Sequence, residues 1–165
     1  MGWYIKGNKK IMRKKITAII PVRKGSQRVI NKNIKNFYND KSLLHIRIEL
    51  LKKISQIDNI IVTSDCEKML SVAKEYSVNT DLRPKSLASS DCCPSDFYEY
   101  LGKICPTEHL MYSPVTTPCL QKDTVEKILD IYSSLNFKQD SLATVTEIKE
   151  KMWLNGSPYN YVYSK

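Results

Sequence analysis

Glycine is scarce in this sequence, five residues in 165, and that scarcity removes the two commonest phosphate-binding loops. A Walker A loop needs two glycines around four residues before Lys-Ser/Thr, and a dinucleotide fingerprint needs three spaced glycines; neither spacing occurs. Histidine is rarer still. His45 and His109 each stand alone in apolar sequence, which favours packing over metal or acid–base roles. The five cysteines, Cys66, Cys92, Cys93, Cys105 and Cys119, are odd in number and form no Cys-x-x-Cys, so reduced structural thiols are expected rather than a disulfide framework or a zinc site. No apolar run approaches the roughly 18 residues that cross a bilayer, and the start lacks the apolar core of a secretory signal. A cytoplasmic protein without membrane partners is therefore expected. Acids are missing from one region above all. Residues 1–41 hold twelve Lys and Arg against Asp40 alone, a net +11, whereas residues 42–165 hold fourteen bases and sixteen acids, a net −2; together these give the formal +9.

What is present suits one soluble domain: 42% hydrophobic and 26% charged residues in a chain long enough to bury a core. Residues 1–15 read as a solvated basic extension and residues 16–165 as the domain. Nucleic acid is not expected as a partner, because neither an aromatic stacking surface nor a reader motif accompanies the basic start. Residues 16–22 are β-branched and uncharged, as in a strand buried on both faces of a parallel sheet. Residues 42–54 repeat apolar side chains near the helical period. Residues 59–63 are a second strand, and Ser64 with Glu67 fits a capping box opening a helix to about Tyr76. Residues 78–82 make a third strand, residues 83–94 a loop, and Ser95 caps a helix running through Cys105. A strand over 109–113, a loop over 114–120, a helix over 121–135 and a fifth strand over 141–147 complete the series. Alternating strand and helix points to an α/β sheet with right-handed crossovers.

The loop after the first strand is the chemically loaded segment. Arg23, Lys24, Arg28, Lys32 and Lys35 supply five cations with Gly25, Ser26 and Asn33 among them. At the carboxyl end of a parallel strand, where ligands of such sheets sit, this is a design for polyphosphate. Gly25 lets the backbone approach an anion and present its amides.

Pro21, Arg23, Gly25, Ser26, Gln27, Lys32 and Asn33 together resemble the signature of the cytidylyltransferases that activate acidic sugars, above all the acylneuraminate (CMP-sialic acid) synthetases. The strand ending in Ser64-Asp65, then Arg83-Pro84 with Leu87-Ala88-Ser89, then Thr116-Thr117-Pro118, and the stretch from Trp153 to Tyr161 resemble the same family in order and spacing. The resemblance implies a three-layer α/β/α Rossmann-like nucleotidyltransferase fold of the glycosyltransferase-A type, and attack of a sugar hydroxyl on the α-phosphorus of CTP, giving a CMP-sugar and pyrophosphate. It implies Arg23, Ser26 and Lys32 as catalytic groups at the phosphates. Nucleotide contacts are implied for Arg23, Gly25, Ser26, Gln27, Lys32, Asn33, Arg83 and Ser95. Read without the family, each has a plainer role beside the functional one: Arg83 as a surface ion-pair partner, Ser95 as only a helix cap, and Asp65 as a cap of the next helix.

Three departures stand out. Many members carry Lys where Gln27 stands, and many place an amide that reads cytosine where Pro114 stands, leaving Ser113 as the nearby polar group. Members also continue past the equivalent of Lys165 into paired aspartates for Mg²⁺, sugar-gripping residues and a dimerisation hairpin. The resemblance thus implies Mg²⁺, a homodimer and a chain shortened at its C-terminus. Its alternative is a CTP-binding homologue without turnover, and exposed apolar surface is expected near residues 159–163.

Overall fold

A computed structural model describes residues 13–25, 29–135, 139–147, 150–160 and 162. The chain divides into two compact units, Met1–Ser134 and Leu135–Lys165.

The first unit is built on β1 (Ile16–Pro21), whose charge-free sequence lets it lie buried, with Ala18, Ile19 and Ile20 fully removed from solvent. A small ribbon follows, β2 (Asn36–Tyr38) against β3 (Lys41–Ser42), leading into α1 (Leu43–Lys52). Then come β4 (Asn59–Ser64), α2 (Glu67–Glu75), β5 (Asn79–Leu82), a 3-10 turn over Lys85–Ala88, α3 (Pro94–Ile104), β6 (His109–Tyr112) and α4 (Lys122–Ser134). Strands β5, β4, β1 and β6 form one sheet in that order, and every pair is parallel. The chain moves outward from β1 to β4 and β5, then crosses back to add β6 on the other side of β1. The strand order reverses between β1 and β6, which places a crevice beyond their carboxyl ends.

Helices α1 and α2 cover one face, where Leu44, Ile48 and Leu51 meet Ile20, Val62 and Met69. Leu101 of α3 closes over Ile19 and Ile61, and Val125 and Leu129 of α4 pack with Ile16 and Ile54. This is the expected α/β class with a parallel sheet. Ser42 caps α1: its Oγ accepts the His45 amide, and the His45 ring accepts the Ser42 amide. His45 also meets Tyr76 edge-on, and His109 shares a hydrogen bond with the Tyr132 hydroxyl, so both histidines serve packing.

Three local expectations fail. The capping box at Ser64 does not form: Ser64 stays in the ladder opposite Leu82, and Cys66 stands at the start of α2 with no side-chain cap. Ser95 is not the cap of α3. Pro94 occupies the first turn, where its missing N–H costs nothing, so Cys93 becomes the cap and Ser95 is exposed one residue inside. Residues 141–147 form no strand; their alternation supplies β propensity, but propensity without a pairing edge does not make a strand.

Arg13 and Lys15, at the end of the basic extension, are exposed and Lys14 is half-buried. Arg13 donates to the Ser55 carbonyl and to Asp58, and Lys14 donates to the Tyr132 carbonyl at 3.0 Å. Residues 1–12 lie outside the described residues. Asp58 also accepts the Ile16 amide at 2.8 Å, and that bond, followed by Arg13, holds its carboxyl below the usual carboxylate range. Because the folded-state value is depressed, this stabilisation is complete above the ordinary carboxylate range and disappears as pH falls through the folded value. Asp58→Asn is therefore expected to lower Tm at neutral pH and to flatten the acid limb of a Tm-against-pH curve, so that variant and wild type converge in acid.

In the second unit, β7 (Trp153–Leu154) pairs antiparallel with β8 (Ser157–Pro158) around Asn155 and Gly156. Both turn residues have positive φ, +51° and +77°, the conformation that Asn-Gly adopts in the tight hairpin turn whose twist matches its strands. Asn160 braces it, accepting the Met152 amide and donating to the Glu150 carbonyl. Tyr159 and Val162 are exposed, as expected for that stretch; Tyr161 and Tyr163 lie outside the described residues.

Candidate functional site

Beyond the carboxyl ends of β1 and β6 lies a cavity of about 590 Å³. Three strand ends are fixed beneath it by ladder bonds that continue past the strands. The Val22 amide donates to Thr63, the Arg83 amide to Ser64 and the Ser113 amide to Ile19, at 2.9 to 3.0 Å. The segments after β1, β5 and β6 therefore leave the sheet from set positions.

Arg23, Lys32, Asn33 and Arg83 all line the cavity. Arg23 reaches across it to donate to the Ala88 carbonyl at 2.9 Å, joining the loop after β1 to the 3-10 turn. Asn33 is buried; its side-chain amide donates to the Arg23 carbonyl at 3.2 Å, and its own carbonyl accepts the Leu44 amide. It closes the loop onto the first turn of α1. Gly25 has φ of +82°, the left-handed region in which a side chain is strained, and lies exposed at the turn. Ser26 and Gln27 lie outside the described residues. Ser95 is not part of the cavity wall, whereas its neighbours Pro94, Phe97 and Tyr98 are.

Arg83 is 4% exposed, so it is no surface ion-pair partner. Its Nη2 donates to the Val22 carbonyl at 2.7 Å and its guanidinium lies 5.2 Å from the Phe97 ring centroid. Burial pulls its pKa down, opposed by the charges of Asp65, Tyr100 and Asp81; an arginine so placed remains a cation at neutral pH. Its Nε is buried with no hydrogen-bond partner among the described residues, and the same holds for Ser113 Oγ. Such orphans are expensive in a finished core and call for a partner such as a water or a ligand atom; of the two residues, Arg83 lines the cavity.

Sequence reasoning missed two supports. Asp65 does not cap α2; its Oδ1 accepts the Lys24 amide at 2.9 Å and ties the cation loop to the end of β4. Arg47, fully buried on α1, donates to both the carbonyl (2.8 Å) and the hydroxyl (2.6 Å) of Thr117, holding the loop after β6. A signal for Arg47 was available, since it falls on the apolar stripe of Leu44, Ile48 and Leu51. Behind α3, Tyr100 donates to Asp81 at 2.7 Å; burial and this bond push its phenol up to about 12.

Asp65→Ala removes the acceptor of the Lys24 amide. It is expected to weaken binding of inorganic tripolyphosphate several-fold, with Asp65→Asn, which keeps an acceptor, closer to wild type by calorimetry. Equal affinities in all three proteins would show that the tie does not position the loop.

Arg23 and Arg83 at the cavity wall, with Lys32 beside them, make a site for an anion that also has a larger body. Comparison with known proteins gives the family. The cytidylyltransferase family profile matches residues 17–155. The N-acylneuraminate cytidylyltransferase of Escherichia coli O18:K1:H7 is 31% identical over 136 residues, covering 82% of this chain and 32% of that protein. The pseudaminic acid cytidylyltransferase of Campylobacter jejuni is 26% identical over 156 residues, 90% of this chain and 67% of that one. The chain thus spans about a third of the first relative and two thirds of the second. Among solved structures, CMP:2-keto-3-deoxy-manno-octonic acid synthetase complexed with CTP superposes with a TM-score of 0.61 at 14% identity, over 71% of this chain and 46% of that one.

Proposed function

Because the chain belongs to the cytidylyltransferase family, we propose that it transfers CMP from CTP to an acidic sugar of the acylneuraminate or pseudaminate kind, with release of pyrophosphate. The observation that carries this reading is the cationic cavity at the reversal of strand order, where Arg23, Lys32 and Arg83 converge. The names of the two relatives support the acceptor class.

In the proposed step the sugar's anomeric hydroxyl oxygen attacks the α-phosphorus, the bond from that phosphorus to the β-phosphate oxygen breaks, and pyrophosphate leaves with the electron pair. The hydroxyl proton is released to water. Negative charge grows on phosphoryl oxygens, so fixed cations and amide donors are what the step asks of a protein. Arg23 and Lys32 would neutralise the phosphates, the loop at Gly25 would turn its amides toward them, with Ser26 and Gln27 in the same segment, and Asn33 would keep that loop closed. Arg83 would meet the nucleoside. Mg²⁺ belongs to this reading as the ion that accompanies a triphosphate. Among the described residues no group of three or more His, Cys, Asp or Glu side chains could hold a metal, so no resident site is assigned and no step is routed through it. The alternative reading is a homologue that binds CTP without turnover. Among the described residues no helix is long and apolar enough to cross a membrane. A homodimer is part of the proposal by family resemblance.

The test is pyrophosphate release from CTP and Mg²⁺ with N-acetylneuraminate or pseudaminate, alongside calorimetric CTP binding. Release supports transfer. CTP binding without release from either sugar leaves the second reading standing, and absence of CTP binding sinks both.

A further inference from the structure

The cavity is lined by aromatic rings as well as by cations. Besides Arg23 and Lys32, the wall carries Phe97 and Tyr98 from α3 and Tyr112 from the end of β6. The Tyr98 and Tyr112 rings meet edge to face, with centroids 5.7 Å apart and planes at 72°. This pairing presets both rings. Yet both remain substantially open, at 54% and 42% exposure.

Core packing does not account for Tyr98. The inward stripe of α3 is Phe97, Tyr100, Leu101 and Ile104, which packs under Ile19 and Ile61, and Tyr98 lies off it. Tyr112 follows the same rule on β6, sharing the more exposed side with Leu110. Burial raises the Tyr112 phenol above its ordinary value, so it is neutral near pH 7 and adds no anion to a site for an anion. Arg83 stands behind this corner, stacked on Phe97 and with its buried Nε unpartnered among the described residues.

The geometry points to Tyr98 and Tyr112 as the aromatic corner that holds the nucleobase of the bound nucleotide, one ring stacking on the base and the other bracing the first edge-on. The assignment rests on the CTP reading above and deepens it: cations take the phosphates, the aromatic corner takes the base. Stacking on an aromatic side chain is tolerant of base identity, so this face supplies affinity for a planar heterocycle, and choice among bases falls to the polar edge.

The test compares two probes on the full chain by calorimetry, CTP and inorganic tripolyphosphate, with thermal melts to confirm folding. Wild type is expected to bind CTP more tightly than tripolyphosphate. Tyr112→Ala is expected to weaken CTP binding about 5- to 150-fold while tripolyphosphate binding stays within twofold, and Tyr112→Phe, which keeps the ring, is expected to restore CTP affinity. Tyr98→Ala serves as the second variant should Tyr112→Ala fail to fold. CTP and tripolyphosphate binding equally, or an alanine variant with unchanged CTP affinity but a raised KM for the sugar, would overturn the base assignment while leaving the cytidylyltransferase reading intact. Wild type binding neither probe would overturn both.

Discussion

Replacing Arg83 by methionine is expected to lower CTP affinity about ten- to hundredfold and to change Tm little. The two effects separate because they draw on different quantities. Arg83 carries a charged donor set into a wall that is 4% exposed, and hydrogen bonds from charged donors contribute about 1.5–3 kcal/mol each when the partner is present. Stability weighs two opposed changes. Loss of Nη2 leaves the Val22 carbonyl without that donor, which costs about 1–3 kcal/mol, while removing a buried guanidinium relieves its desolvation, and a methionine of similar length fills the space. Arg83→Lys keeps the charge without the fork that serves Val22 and the cavity together, so its affinity should fall between the two. Calorimetric titration beside thermal melts checks both. A folded methionine variant with CTP affinity within twofold of wild type would remove Arg83 from the site.

Leu44→Ala is expected to show the reverse pattern, a large loss of stability. Leu44 is wholly buried in the cluster shared by β1, β4, α1 and α2, and truncating such a leucine costs about 2–5 kcal/mol in lost transfer energy and residual cavity. For a protein of this size that is roughly 4–20 °C in Tm. Leu82, 60% exposed at the end of β5, is the control, and Leu82→Ala should stay within about 0.5 kcal/mol. A Leu44→Ala melt that overlays wild type would mean that the face covered by α1 is not the core described above.

The fold was readable wherever the signal was short in range. An uncharged β-branched run announces β1, and the cations after it announce an anion site at the carboxyl edge; Arg23, Lys32, Asn33 and Arg83 do gather there. Competition between neighbours was not readable. Ser64 and Glu67 have box spacing, but pairing with Leu82 keeps Ser64 extended. Ser95 has cap chemistry, but Pro94 starts the helix first. Residues 141–147 alternate like a strand, yet alternation cannot supply a partner. Long-range convergence was equally hidden. Arg47 and Thr117 are seventy residues apart, Lys24 and Asp65 forty-one, and nothing local in either partner names the other. Tyr98 and Tyr112 read as ordinary helix and strand residues until the sheet brings them to one corner.

Helix α1 touches both sides of the cavity without lining it. Its first turn offers the Leu44 amide to Asn33, which closes the loop after β1, and its second offers Arg47 to Thr117, which fixes the loop after β6. The two walls therefore share one strut, and neither can open alone without straining a bond to it. A ligand that settles against one wall also steadies the other, so amide exchange at residues 31–34 and 115–117 should slow together when CTP is added, even for amides that no ligand atom reaches.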